Sequence, residues 1–154
     1  MIKIKIISVG SKADKNLKIL IDNYLKKISN QFDVDWINIK AEKKFDSISQ
    51  KKEYESKKIT TYIENSFVVA MDENGQIFNS KEFTNIMLGW IQNYPSLVFI
   101  IGGADGLHQS LLNKANFILS LSRMTFPHQL VKLLLSEQLY RCSAIINNHP
   151  YHRE

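Results

Sequence analysis

The sequence predicts an α/β protein, a single domain over residues 1–154 built on a parallel sheet with helices on both faces. Three observations carry that prediction. Apolar runs of strand length alternate with stretches of helical periodicity along the whole chain. Two of those runs, Phe67–Met71 and Leu97–Ile101, are apolar throughout, as parallel strands buried on both faces are. No internal repeat, linker or low-complexity tract breaks the alternation, and 154 residues make one domain with a real core.

Taken in order, Ile2, Ile4 and Ile6 alternate with lysines, and Ile7 and Val9 carry a first strand to Gly10. Asp14 is placed to cap a helix in which Leu17, Leu20, Ile21, Tyr24, Leu25 and Ile28 recur at helical spacing. Val34 to Ile39 is the second strand. Charge dominates residues 40–58, where Lys40, Lys43, Lys44, Lys51, Lys52, Lys57 and Lys58 interleave with Glu42, Glu53 and Glu55. The first part reads as a mobile loop, and the second as a solvent-facing helix carrying Tyr54, Ile59, Tyr62 and Ile63 inward. Phe67–Met71 is a central strand, broken by the turn residues Asp72-Glu-Asn-Gly75. Ser80 is the expected cap of a helix with Phe83, Ile86, Met87, Trp90 and Ile91 on one face. Strand Leu97–Ile101, a glycine turn, a short helix around Leu111–Ala115, strand Phe117–Leu121, a second loop and helix Gln129–Ile146 complete the chain.

Composition is that of a soluble globular protein, 44% hydrophobic and 23% charged. The amino end lacks the basic-then-apolar pattern of a signal segment, and no apolar run approaches the ~20 residues that span a bilayer. A cytoplasmic protein with no membrane partner is expected. A lone cysteine, Cys142, excludes a disulfide framework and argues against a metal cluster. The net charge of +5 fits an anionic partner or simply solvated lysine faces, and charge alone does not choose between them.

Chemistry concentrates after Ser96. Two buried strands end in two loops, Gly102–Gly106 and Ser122–Pro127, at the edge where open parallel sheets bind ligands. The Gly102-Gly-x-x-Gly106 turn lacks G-x-G-x-x-G spacing, no acid follows about 20 residues on, and there is no G-K-[ST]. A nicotinamide or nucleoside triphosphate site is therefore disfavoured. These glycines either let main chain approach a flat ligand or simply make a tight turn. Ser122–Pro127 groups small polar side chains and exposed main chain, with Pro127 suited to a helix start. His128 beside it is a helix-start residue or a ligand contact. In the last helix Leu130, Val131, Leu133, Leu134 and Leu135 spread apolar character almost all round, which fits packing against both the sheet and another subunit. Glu137 and Arg141, at i and i+4, either pair on a surface or make an internal contact near a site. The tail, Asn147 to Glu154, holds two histidines, a tyrosine, an arginine and a proline, types that suit stacking, proton handling and phosphate contact at a nucleobase.

Together these segments resemble one family along essentially the whole chain: Ile6-Ile-Ser-Val-Gly10, Ile101-Gly-Gly-Ala-Asp-Gly-Leu107, Ser120-Leu-Ser-Arg-Met-Thr-Phe-Pro-His128, Glu137-Gln-Leu-Tyr-Arg141 and Asn148-His-Pro-Tyr-His-Arg-Glu154. The chain is similar to the ribosomal RNA large subunit methyltransferase H family of the SPOUT superfamily, which methylates N(3) of a pseudouridine in the helix-69 loop of 23S rRNA. The resemblance implies a deep trefoil knot at the carboxyl end, where general rules of chain path would suggest an unknotted flavodoxin-like sheet. It implies S-adenosylmethionine bound in the knot, a homodimer in which one subunit's tail completes the other's site, 23S rRNA in the ribosome as partner, and no metal. Carried over by motif, the cofactor site comprises Met71, Gly102, Gly103, Leu121, Ser122, Arg123, Met124, Thr125 and Phe126. The family position of Met71 is often leucine, an equally apolar wall. The catalytic set is Arg141, Tyr151, His152 and Arg153. In that set an arginine stabilises the anionic base, Tyr151 stacks on it, and His152 takes its proton or positions a water that does. The segment 40–58 matches the family only loosely. A ribosome-binding factor without methyl transfer and a SPOUT enzyme acting on tRNA are the rival readings. The intact loops oppose the first, and a chain with no appended RNA-binding domain opposes the second.

Overall fold

Among the residues that the computed structural model describes, 1–41 and 44–153, five strands alternate with five helices. In chain order these are β1 (Ile2–Val9), α1 (Lys15–Lys27), β2 (Phe32–Ile39), α2 (Ile48–Thr60), β3 (Phe67–Ile77), α3 (Ser80–Asn93), β4 (Ser96–Ile101), α4 (Gln109–Lys114), β5 (Phe117–Ser120) and α5 (His128–Ile146). Glu42 and Lys43 of the lysine-rich stretch, and Glu154 of the tail, lie outside the described residues. The strands form one sheet in the order β2-β1-β4-β3-β5, parallel throughout. Its face membership follows the period of two of a strand. Ile4, Ile6, Val69, Met71, Phe99 and Ile101 pack with Phe83, Met87, Leu135 and Leu139 of α3 and α5. Ile7, Val9, Val68, Ala70, Val98 and Ile100 face the other way, onto Ile59 of α2 and Leu111 of α4. The sheet is thus covered on both sides, and its carboxyl edge is left to loops.

The sequence reading needs correction at particular places. β2 begins at Phe32, two residues earlier than expected, because Phe32 is buried in the core. β3 does not stop at Met71. Asp72 accepts the Asn74 amide (2.9 Å) in a local irregularity, and the strand resumes with Gln76 beside Leu119 and Ile77 beside Ser120. Gly75 permits this, since a Cβ there would lie 2.7 Å from the Ile118 backbone. Asp14 caps α1 as expected, through the Leu17 amide. Asn79, not Ser80, caps α3, in a reciprocal box with Glu82. Ser80 Oγ instead donates to Gln138 of α5 (2.7 Å). Tyr62 is exposed, while Ile59 is fully buried.

α1 and α5 also leave apolar surface uncovered. Leu20, expected inward, is 48% exposed, and Leu130 is 38% exposed. The buried stripe of α5 runs instead through Lys132, Leu135, Ser136, Leu139, Cys142 and Ser143. Burial pushes the Cys142 thiol up to about 12, so this cysteine is inert packing. Among the described residues, no helix is long and apolar enough to cross a membrane.

Candidate functional site

At the carboxyl ends of β3, β4 and β5 lies a cavity of about 730 Å³. Each strand brings one wall. β3 contributes Met71 and its continuation Asp72, Glu73 and Asn74, β4 the turn that follows Ile101, and β5 the loop that follows Ser120. The glycine turn is a tight turn, and it also lines the cavity. The Gly106 amide donates to Gly103 O (3.0 Å) and Gly106 takes a φ of +77°. A Cβ on Gly102 would stand 2.8 Å from the Gly106 carbonyl carbon, so no larger residue fits without moving backbone.

The loop after β5 is pinned by its own hydroxyls. Ser120 Oγ donates to Ser122 O (2.7 Å), Ser122 Oγ accepts the Met124 amide (2.9 Å), and Thr125 Oγ1 donates to Glu73 Oε2 (2.6 Å). The Thr125 contact ties the loop to the extension of β3 that the sequence reads as a turn. Of the nine residues expected to hold cofactor, Met71, Gly102, Gly103, Leu121, Ser122, Met124, Thr125 and Phe126 line the cavity, and Arg123 is exposed outside the lining. His128 and Val131, from the first turn of α5, close the remaining side. Burial first, and the charge of Lys132 second, lower the His128 pKa below its ordinary value, so its imidazole is neutral at pH 7.

The cavity walls are apolar (Met71, Ile101, Leu107, Leu119, Leu121 and Phe126) and its rim is acidic. Asp72, Glu73 and Asp105 face it against a single lysine, Lys52, in a chain whose net charge is +5. Lys51 reaches Asp105 at 3.3 Å and fastens α2 to the glycine turn. Beneath that contact Glu55 is buried, and desolvation raises its carboxyl above the usual range.

The tail residues gather elsewhere, around Glu137. Its Oε1 accepts from Arg141 Nε (3.0 Å), Arg141 Nη2 (2.5 Å) and the Tyr151 hydroxyl (2.9 Å). The Arg141 guanidinium lies over the Tyr151 ring at 4.8 Å, and Tyr151 packs on Tyr140 at 4.4 Å between centroids. Arg141 Nη1 approaches His152 Nδ1 at 3.2 Å. The hydrogen bond to Glu137 raises the Arg141 pKa further, and burial raises that of Tyr151. Both therefore keep their protons at neutral pH. Three of the four expected catalytic residues are thus brought together, and Arg153 stays exposed at the end of the described tail. Glu137 as the hub is what sequence reasoning left open. Its signal was the i, i+4 spacing to Arg141, which was equally consistent with a surface pair.

Cavity and tail cluster sit at opposite ends of α5. From His128 to Arg141 is 13 residues, about 20 Å along the helix axis. Among the described residues, no group of His, Cys, Asp and Glu is placed to hold a metal ion.

A family model described as predicted SPOUT methyltransferase matches residues 2–152. The chain is 40% identical over 154 residues to the ribosomal RNA large subunit methyltransferase H of Methylobacillus flagellatus, covering 99% of both chains. It is 42% identical over 153 residues to the protein of the same name from Acholeplasma laidlawii, covering 98% of this chain and 99% of that one. A solved structure, a probable methylase family protein from Haemophilus influenzae Rd KW20, superposes with a TM-score of 0.57 at 12% identity over 98% of this chain and 70% of that chain, a likeness of fold alone.

Proposed function

The chain belongs to the SPOUT methyltransferases and matches their large-subunit ribosomal RNA enzymes along its length, and from that premise we propose its donor, target and assembly. The donor is S-adenosylmethionine, bound in the cavity at the ends of β3, β4 and β5. The target is N(3) of a pseudouridine in the helix-69 loop of 23S rRNA, presented on the ribosome. The observation that carries the donor assignment is the acidic rim on apolar walls. A nucleoside triphosphate would meet Asp72 and Glu73 with like charge, Asp105 being paired with Lys51, whereas a ligand bearing a sulfonium and an ammonium is complemented by them.

Bound there, the donor supplies an electrophilic methyl group. The chain's own residues orient and shield it. Met71, Leu121 and Phe126 wall it off from water, and the Gly102–Gly106 turn lets main chain come close to it. The Thr125–Glu73 contact fixes the loop that covers it.

The acceptor end is the tail cluster. Arg141 only donates hydrogen bonds, so His152 Nδ1 accepts from it and the neutral ring carries its hydrogen on Nε2. His152 is thereby a donor toward substrate, which favours positioning a water or a base carbonyl over direct uptake of the proton. When N(3) loses its proton to water, charge spreads onto the flanking carbonyl oxygens of the ring, and Arg141 with His152 is the pair that stabilises it. Tyr151, held by Glu137, is the platform for the base.

About 20 Å of helix separates the two ends, which supports a homodimer in which the cavity of one copy meets the tail of another. Exposed Leu20 and Leu130 supply apolar surface for that contact. The chain path we propose is the knot of the family, and the start of α5 lies beside the end of β1, where Gln129 donates to Ser11 O (3.0 Å). The test is methyl transfer from labelled S-adenosylmethionine to ribosomes from a strain lacking this protein, with the nucleoside identified by mass spectrometry. Label on an N(3)-methylated pseudouridine of the large-subunit RNA supports the proposal, and label on another nucleoside or none refutes it.

A further inference from the structure

A second cavity, about 330 Å³, lies between α1 and the ends of β1 and β2. It adjoins the first across the opening turn of α5, where His128 and Val131 face one cavity and Lys132 lines the other. Lys132 is only 2% exposed and is the one charged residue of the buried stripe of α5 among the described residues. Its ammonium has three donors, and Ser11 O at 2.9 Å accepts one of them. Among the described residues no carboxylate pairs with it, because Asp22, the acid of this cavity, is held by Lys18 at 2.6 Å. Such a buried cation is costly without an anionic partner, and burial pulls its pKa below the usual lysine range.

The polar floor is already satisfied within the protein. Trp36 Nε1 donates to Ser8 Oγ (2.8 Å), Ser8 Oγ donates to Asn38 Oδ1 (3.1 Å), and Asn38 Nδ2 donates to Gly10 O (3.1 Å). The charged donors left for a ligand are ammonium groups, Lys132 inside, exposed Lys12 in the lining beside it, and Lys18, which is shared with Asp22. The half-buried Trp36 indole adds an aromatic wall. Cationic donors beside an aromatic face suit a nucleotide, phosphate on the lysines and base near the indole. The volume is at the lower end for small-ligand sites and larger than a bare phosphate needs.

We propose that this cavity is a nucleotide-phosphate site, with Lys132 as the buried donor to the oxyanion and Lys12 as the outer one. The phosphate belongs either to the RNA strand being modified, which rests on the function proposed above, or to a free nucleotide.

The test is titration of the full-length protein with uridine 5′-monophosphate, read by tryptophan fluorescence. Trp36 and Trp90 are the protein's two tryptophans, and Trp90 is buried against Phe67 in the core, so a ligand-dependent change reports Trp36. A saturable change is expected, about tenfold weaker for uridine without phosphate and for Lys132→Met, and about threefold weaker for Lys12→Gln. Lys12→Gln, on the surface, decides the matter should Lys132→Met fail to fold by circular dichroism. No saturable change, or one equal for uridine and for both variants, overturns the proposal. With ribosomes as substrate, competition by the nucleotide and a raised KM at unchanged kcat in Lys12→Gln assign the site to an RNA phosphate. Binding without either effect assigns it to a free nucleotide. Because the titration needs no methyl donor, a protein that transferred no methyl group would sink the proposed function and leave this result standing.

Discussion

The two ends of α5 are built by different means. At its start the cavity is shaped by two loops: a glycine turn closed by its own backbone bond, and a loop pinned by serine and threonine hydroxyls. At its far end the tail cluster is made of side chains converging on one carboxylate, Glu137. The first is held by shape and fails when an atom is added. The second is held by charge-assisted bonds and fails when a charge is removed. The difference teaches how to injure each end alone.

The largest effect is expected from Gly102→Val. Its Cβ would collide with the Gly106 backbone, and affinity for S-adenosylmethionine should fall about 100-fold or more by calorimetry, equivalent to ~2.7 kcal/mol. An affinity within about twofold of the parent protein would show that the turn does not shape the binding site. Next comes Glu137→Gln, which leaves Arg141 and Tyr151 without their anionic acceptor. Here kcat on ribosomes should drop about 30-fold while donor affinity holds, since the cavity is untouched. A change in donor affinity with kcat intact would reverse the assignment of the two ends. Thr125→Val removes one hydrogen bond at the rim of the cavity, and about fivefold weaker donor binding is expected.

The smallest effect concerns pH. His128 has a lowered folded-state pKa, so below the ordinary value near 6.5 the unfolded chain binds a proton that the folded chain refuses. This histidine therefore favours folding fully above that value and loses its contribution as pH falls toward the folded-state pKa. The urea midpoint should fall less between pH 7 and pH 5 in His128→Gln than in the parent protein. An identical fall would show that burial does not perturb the ring.

How much of this was legible in the sequence differs between the same two ends. The strand-end location of the cavity could be read because Phe67–Met71 and Leu97–Ile101 are apolar throughout and stop at turn residues. The continuation of β3 through Asp72–Ile77 could not. Those residues are turn formers by local preference, and only the approach of Gly75 to β5 makes them strand. Likewise Leu20 fits a helical stripe by spacing, yet α5 covers α1 on another side and leaves it in solvent. Nothing in the sequence singles out Lys132. Its burial depends on the return of α5 to Ser11, more than a hundred residues back along the chain. Long-range adjacency of this kind leaves no local pattern. The expectation of a knot entered only through resemblance, since periodicity carries no information about threading.

Complementation between defective chains addresses the central claim, that each working site is assembled from two copies. Gly102→Val and Glu137→Gln chains, each reduced to a few per cent of parent activity or less at limiting donor, would be co-expressed and assayed on ribosomes. Random pairing puts half the chains in mixed dimers, each with one intact cavity facing one intact tail, so about a quarter of the parent activity should return. If cavity and tail served the same copy, every site would still carry a defect, and the mixture would show no more activity than the average of its parts.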